Sequence, residues 1–464
     1  MDREDLLQNT SSELETSSQC SLVANENEVK LSKRRWLILA GVTIFGLLMT
    51  FANQTSPVLD TMLEVVGLRI DKFLYLERIF SYQLAIIAIP TARYVDKFGI
   101  RLAMYFAATL TAIQALFRGL LYNIHVAHWK DYRLAYYLAS NTIYIQILAI
   151  FMCLPLKVSE IWFSESERSF AWTIMASLLN ISIALASYIY PKLILSLEDV
   201  KYLFYTTTIS AIAVIVTTVL FINKSKPKHP ASTRVAVDPN RDKQSLGETL
   251  RKMSKQPDLI LHLLHSAVFD SIYATIVSVI PDLLKSSNRS EIFTGDLNSL
   301  FSMLTLILGL ISSSFIHRVR NRTLICKTAS FSQAVSYVAY MNLMLYPTPT
   351  WALYMGSIIF AVIKSWTSPN LNDMTAHLAC GTVSLGTVVG VCVTMSTLAS
   401  TVIALPFVAL IKVQTQKSDY TWAITFISIM CMINELTYCS LFRGRSAKQL
   451  EETVSEEQVN RVSV

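Results

Sequence analysis

Along the chain, runs of about 20 mostly apolar residues alternate with short polar breaks, a length that as helix crosses the hydrocarbon of a bilayer. The runs fall near 37–57, 73–95, 101–121, 134–156, 170–195, 203–223, 259–284, 297–316, 325–346, 351–370, 384–411 and 421–442. Water is absent at that depth, so each run must satisfy its own backbone polar groups, which favours helix over any open sheet. The pattern predicts an all-α membrane protein with twelve transmembrane helices. It divides the chain into a tail (1–35), a first six-helix half (36–223), a polar linker (224–257), a second six-helix half (258–442) and a second tail (443–464). The tails are polar and charged, and disorder is expected for roughly the first thirty and the last twenty residues.

Composition agrees with that pattern, since 52% of residues are hydrophobic and only 16% charged, an unusual balance for a water-soluble chain of 464 residues. No basic segment leads into an apolar stretch and cleavage site at the N-terminus, so a secretory signal peptide is not expected. The seven cysteines form no Cys-x-x-Cys pair, and neither a disulfide framework, a metal site nor a cofactor is expected. Histidines are scattered, and there is no nucleophile elbow or glycine-rich phosphate loop, so the chain does not read as an enzyme.

Lysine and arginine set the orientation, because short cytosolic loops carry them in excess. Lys33, Arg34 and Arg35 precede the first run; Arg93, Lys97, Arg101, Lys157 and Arg168 follow on the same side, as do Arg318, Arg320, Arg322 and Lys327. With twelve crossings both termini are expected in the cytosol. The linker, rich in lysine and arginine, falls on that side too and separates six spans from six.

The stretch Ala92-Arg-Tyr-Val-Asp-Lys-Phe-Gly-Ile-Arg101 between the second and third runs keeps an acid, a cation, a glycine and a closing arginine. With the six-plus-six layout it resembles the major facilitator superfamily. That resemblance implies two pseudo-symmetric halves rocking about a midplane site, with Asp96, Lys97, Gly99 and Arg101 as a gating motif. In this reading Gly99 permits a tight turn and Asp96 can cap a helix of the other half, while Ala92 stands for the family's first glycine and still allows close contact. The second copy, Ser313 to Arg322, has the cations but His317 where the acid belongs.

Two further segments, Lys33-Arg-Arg-Trp-Leu-Ile-Leu39 and Leu154-Pro-Leu-Lys-Val-Ser-Glu-Ile-Trp-Phe163 with Ser164-Glu-Ser-Glu-Arg168, resemble solute carrier family 49, the feline leukaemia virus subgroup C receptor family. The Trp-Phe-Ser-x-x-Glu-Arg form looks most like the family's lysosomal member. In the second half the resemblance thins to Pro369 followed by Asp373, where the family has Glu. It implies a secondary active carrier of a small organic solute, of the pyridoxine-type vitamin, choline or haem class. For choline, an aromatic would be expected in the first run to face the ammonium, but Asn53 and Gln54 stand there, with Phe51 or tyrosines of other runs as substitutes. For haem, His262, His265 and Tyr273 could be recruited, without a paired-histidine signature.

Ionisable residues inside the runs carry the most weight, because a charge at that depth is costly and tied to function. Asp270, midway through the seventh run with Ser266 and Tyr273 on its helical face, can bind a cationic group or a coupling proton, or pair structurally with Lys364. Lys364 is read chiefly as its counter-ion. Glu77 and Arg78 open the second run and read as a surface pair, with a gating role as the alternative; Glu435 near the end of the last run can sense protons or snorkel towards the cytosolic end, and snorkelling is the favoured reading. Asn180 either faces the cavity or packs helices together. The expected substrate site is therefore Asn53, Gln54, Asn180, Tyr273 and Asp373, with Asp270 for proton coupling.

In the loops, His125 and His128 can sense pH, and Asn288-Arg-Ser290 is a candidate glycosylation site. Asp2, Leu6 and Leu7 form an acidic dileucine pattern of the kind read by sorting adaptors. That pattern and the subfamily likeness point to the lysosomal or late endosomal membrane, with the plasma membrane as the alternative. The competing functional class is a non-transporting receptor or scaffold derived from a carrier, motivated by the eroded second motif and the few glycines.

Overall fold

The computed structural model describes residues 32–54, 58–68, 70–122, 132–224, 227, 245–286, 289, 291–316, 321–346, 348–379, 383–410, 412–413 and 418–444. Asp2, Leu6, Leu7, His125, His128, Asn288 and His317 lie outside the described residues, as do both expected tails for most of their length.

The first half contains α1 (Arg34–Asn53), a short α2 (Leu59–Val66), α3 (Ile70–Tyr122), α4 (Arg133–Trp162), α5 (Glu165–Leu193) and α6 (Lys201–Phe221). A nine-residue α7 (Leu246–Ser254) lies within the expected linker. The second half contains α8 (Pro257–Ser286), α9 (Glu291–Ile316), α10 (Arg322–Leu345), α11 (Thr350–Leu378), α12 (Leu385–Leu410) and α13 (Thr421–Leu441). A two-residue hairpin, β1 (Lys412–Val413) antiparallel to β2 (Ser418–Asp419), joins the last two helices.

Among the described residues, eight helices are long and apolar enough to cross a membrane, and one of them, Ile79–Leu121, is 43 residues long. That segment of α3 makes two crossings, divided at Gly99, where φ is 79° and ψ 170°. With α8, and with α10 and α11, whose polar residues dilute their hydropathy, the molecule has the twelve expected spans. Positive φ clashes with a Cβ, so Gly99→Ala is expected to cost about 1–2 kcal/mol, read as a lower unfolding temperature of the purified protein.

Helix packing follows the side chains. Outward-pointing Ile86, Leu116, Ile209 and Ile311 are exposed where lipid would meet them, while each half stacks two apolar cores across its depth. In the first half Phe45 stacks on Phe151; in the second, Phe360 packs against Phe301, Tyr337 and Tyr340.

Backbone groups freed by helix ends and prolines find side-chain partners. The Phe51 carbonyl accepts from the Tyr190 hydroxyl at 2.9 Å, and the Ala52 carbonyl from Arg118 Nη1 at 2.8 Å. Both belong to the last turn of α1, where carbonyls run out of donors within the helix. They also place the buried guanidinium at the negative end of that helix. Pro369 in α11 leaves the Ser365 carbonyl without its usual donor, and Ser312 Oγ of α9 donates to it at 2.6 Å.

Candidate functional site

The two halves meet along α5 with α9, and along α12 with α3 and α4. The start of α1 and the end of α13 lie at one face, here called the terminal face. There the turn after the second span reaches across to the other half. Asp96 Oδ2 accepts from Thr387 N at 2.9 Å and from Thr387 Oγ1 at 2.8 Å, capping the first turn of α12. Its Oδ1 lies 3.1 Å from Lys157 Nζ, and that ammonium lies 3.3 Å from Ser384 Oγ and 3.8 Å from Glu160. The Asp96 and Lys157 side chains are buried, with 0% and 1% of their surface exposed.

Close approach makes this possible. A Cβ on Gly386 would overlap the Asp96 carboxylate, and one on Gly390 would fall 2.6 Å from the Ala92 Cβ. The glycine missing from position 92 is thus compensated by Gly390 of the facing helix. Lys97 and Arg101 remain exposed at the terminal face.

The second half repeats the clasp with the charges exchanged. Arg322 Nε at the start of α10 lies 3.5 Å from Asp373 Oδ2 on α11, and Ser169 Oγ of α5 lies 3.5 Å from Asp373 Oδ1. The acid that the second motif lacks in its loop is therefore supplied by α11. Asp373 also lines a small, partly open cavity between the halves, together with Arg168, Ser169, Trp172 and Asn372.

The segments that carry the family resemblance touch each other. Arg35 makes a two-pronged ion pair with Glu167, at 2.7 and 2.9 Å, and Trp36 meets Phe163 edge-on with ring centres 5.4 Å apart. These contacts join α1 to the start of α5 at the terminal face.

Asp270 lies about 20 Å along α8 from the helix start, near mid-depth. Its carboxylate is open to water although protein surrounds it on every side, the combination expected of a cavity wall. No cation approaches it within ion-pair distance among the described residues. Lys364 is near enough to act on it through space, but the buried ammonium sits 2.9 Å from the centre of the Tyr273 ring and 5.5 Å from that of Phe301. It is held by aromatic faces rather than by a direct bond to the acid. Asn180, midway along α5, is half-buried and has no hydrogen-bond partner among the described residues.

The remaining expected lining residues sit elsewhere. Asn53 and Gln54 end α1 at the face opposite the termini, where the Asn53 oxygen accepts from Gln114 and its amide donates to Met49 O at 2.7 Å. Asp373 is about 13 Å further along α11 than Lys364, in the clasp rather than beside Asp270. The side chains of Glu77 and Arg78 lie outside the described ones.

Other residues went unrecognised in the sequence. Arg118 is buried between α1 and α4, with its Nε 3.2 Å from Ser140 Oγ; an arginine inside an apolar run was the available signal. Glu435 differs from the expected snorkelling, because it is fully buried and hydrogen-bonded inward to Ser330. His262 and His265 are buried and bonded within the second half, not turned to a haem-sized space.

The sequence profile of the Major Facilitator Superfamily matches residues 147–404, more than half of the chain. The chain belongs to that superfamily. Solute carrier family 49 member A3 of Xenopus tropicalis is 23% identical over 321 residues, which take in 66% of this chain and 64% of that relative's length. An uncharacterized protein of Caenorhabditis elegans is 24% identical over 354 residues, 75% of this chain and 67% of its own. Among solved structures, the human organic anion transporter MFSD10 superposes with a TM-score of 0.63 at 15% identity, covering 87% of this chain and 99% of that one. The proton:xylose symporter XylE gives 0.63 at 12% identity, covering 91% and 99%. At such identities the superpositions speak for the superfamily's fold. The chain is accordingly a multi-pass membrane protein of transporter type.

Proposed function

We propose that the protein is a proton-coupled secondary carrier of a small organic solute, with Asp270 as the residue that binds the solute's donor group or the coupling proton. The observation that carries this reading is the water-open carboxylate of Asp270 at mid-depth in α8, without a direct ion-pair partner. A charge there is costly unless it is used. The two clasps at the terminal face supply the other requirement of alternating access, since Asp96 and Lys157 reach from the first half to Thr387 and Ser384, and Asp373 of the second half meets Ser169 of the first. We read that face as cytosolic from its lysines and arginines.

Among the solute classes, a pyridoxine-type ring with hydroxyl and protonatable groups fits best. A quaternary ammonium would need an aromatic face, and the Tyr273 face is occupied by the protein's own Lys364. Haem would need free histidines, and His262 and His265 are engaged in hydrogen bonds. The lysosomal or late endosomal membrane fits the acidic dileucine at Asp2, Leu6 and Leu7, where sorting adaptors would bind, and an acidic lumen would supply the driving protons. Glycosylation at Asn288 fits a lumenal loop.

The test is uptake of labelled pyridoxine, choline and haem by cells whose protein is redirected to the surface by Leu6→Ala and Leu7→Ala. Pyridoxine uptake that rises in acid medium supports the reading. Absence of uptake with the protein verified at the surface contradicts it and favours a scaffold.

A further inference from the structure

A second cluster of titratable side chains lies away from the cavity, where α8, α10, α11 and α13 pack together near the terminal face. His265 Nε2 is 2.8 Å from Ser330 Oγ, and the Ser330 hydroxyl donates over 2.8 Å to Glu435 Oε2. The imidazole nitrogen is itself 3.7 Å from that oxygen, and the two side chains have 1% and 0% of their surface exposed. On the other side of the ring, the Asn434 amide nitrogen lies 3.0 Å from His265 Nδ1. An amide NH₂ only donates, so Nδ1 accepts and the ring proton belongs on Nε2. The chain of donation then runs from His265 through Ser330 to Glu435.

The surroundings are satisfied in the same sense. His262 lies 3.0 Å through Nε2 from the Leu371 carbonyl, which can only accept, so its Nδ1 accepts from the Tyr438 hydroxyl at 2.9 Å. Tyr438 also stacks on His265, with ring centres 3.9 Å apart. The Cys439 thiol meets Glu435 Oε1 at 3.7 Å. The titratable and charged groups around the pair are His262 on α8, Cys326 and Lys327 on α10, and Cys431, Tyr438 and Cys439 on α13. From α11 comes Asp373, which acts on Cys326; Cys392 on α12 is instead influenced by Asp270. Lys327 is spent on the Cys439 carbonyl at 2.7 Å, and Arg322 on Asp373.

Among the described residues, no fixed cation therefore neutralises Glu435. An ionised carboxylate without exposed surface is expensive unless compensated, and one proton shared by the pair removes the net charge. It resides as carboxylic acid beside neutral imidazole, because an imidazolium would turn a second N–H, on Nδ1, against the Asn434 amide donor.

We propose that His265 and Glu435, bridged by Ser330, form a proton-binding site in the outer wall of the second half, distinct from Asp270. It exchanges one proton with water when α8 and α13 part. The step is a single proton transfer between the pair and water, with no other reactant. Because α8 also carries Asp270 about 7 Å further along its axis, occupancy of the pair biases the helix that bears the cavity carboxylate. Proton binding at the pair is independent of which solute is carried.

The test is infrared titration of the full-length protein in lipid nanodiscs, comparing Asp270→Asn with Asp270→Asn/Glu435→Gln. The expected result is a carboxylic-acid carbonyl signal that titrates between about pH 5 and pH 8 and is missing from the double variant. Ser330→Ala, which keeps both ionisable groups, should move its midpoint by about one pH unit, a tenfold change in proton affinity. Spectra that coincide at every pH overturn the proposal. So does an unmoved midpoint in Ser330→Ala, which decides the matter should Glu435→Gln fail to fold.

Discussion

Asp270→Asn is expected to reduce solute uptake by about tenfold to a hundredfold, the loss of a charge-assisted hydrogen bond worth about 1.5–3 kcal/mol. The protein should still reach its membrane in wild-type amount. Asparagine keeps the shape of the side chain and removes only its charge and its ability to take a proton, so the helix and its contacts should survive. Acid stimulation should disappear with the carboxylate, leaving a flat pH profile. Lys364→Gln should behave differently. It empties the faces of Tyr273 and Phe301 and removes the cation that acts on Asp270 through space, so the pH profile should shift rather than flatten. Both outcomes are read from initial uptake rates across pH, normalised to protein at the membrane.

The second large effect concerns the clasp at the terminal face. Asp96→Ala leaves Lys157 with 1% of its side chain exposed and without its 3.1 Å partner, and it removes the cap from α12. Stripping one member from a buried pair costs about 3–5 kcal/mol, enough to shift a two-state population by more than two powers of ten. The closed arrangement of that face should therefore lose to the open one. A cysteine placed at Asn372, which lines the small cavity between the halves, should become reactive to a thiol reagent. The double neutral change, Asp96→Asn with Lys157→Gln, should lie between wild type and Asp96→Ala, because it removes the ammonium together with the carboxylate that faces it at 3.1 Å.

The twelve spans were legible because burial in lipid demands a long apolar run for each helix, a property of single segments. Gly99 was legible for a related reason: the turn must occur within a few residues of the motif's charges. Contacts between distant segments were not. Nothing near Asp373 in the chain announces Arg322, and the second motif looked eroded because its acid had moved to another helix. Glu435 was misread from its closeness to the end of a span, since only the structure reveals the hydroxyl and imidazole aimed at it from α10 and α8. The linker hid α7, whose Ser245 side chain caps Glu248 N at 3.2 Å, because surrounding basic residues mask its short amphipathic pattern. For the candidate site, residue type found Asp270 and Lys364 but not how they meet, because the aromatic faces holding the ammonium come from α8 and α9.

The most direct measurement is entry of labelled pyridoxine into proteoliposomes holding the purified protein, with an inward proton gradient, for wild type and Asp270→Asn. Accumulation by wild type that collapses with the gradient and is absent from the variant is the result predicted. Equal entry in wild type, variant and empty liposomes would contradict a proton-coupled carrier built around Asp270.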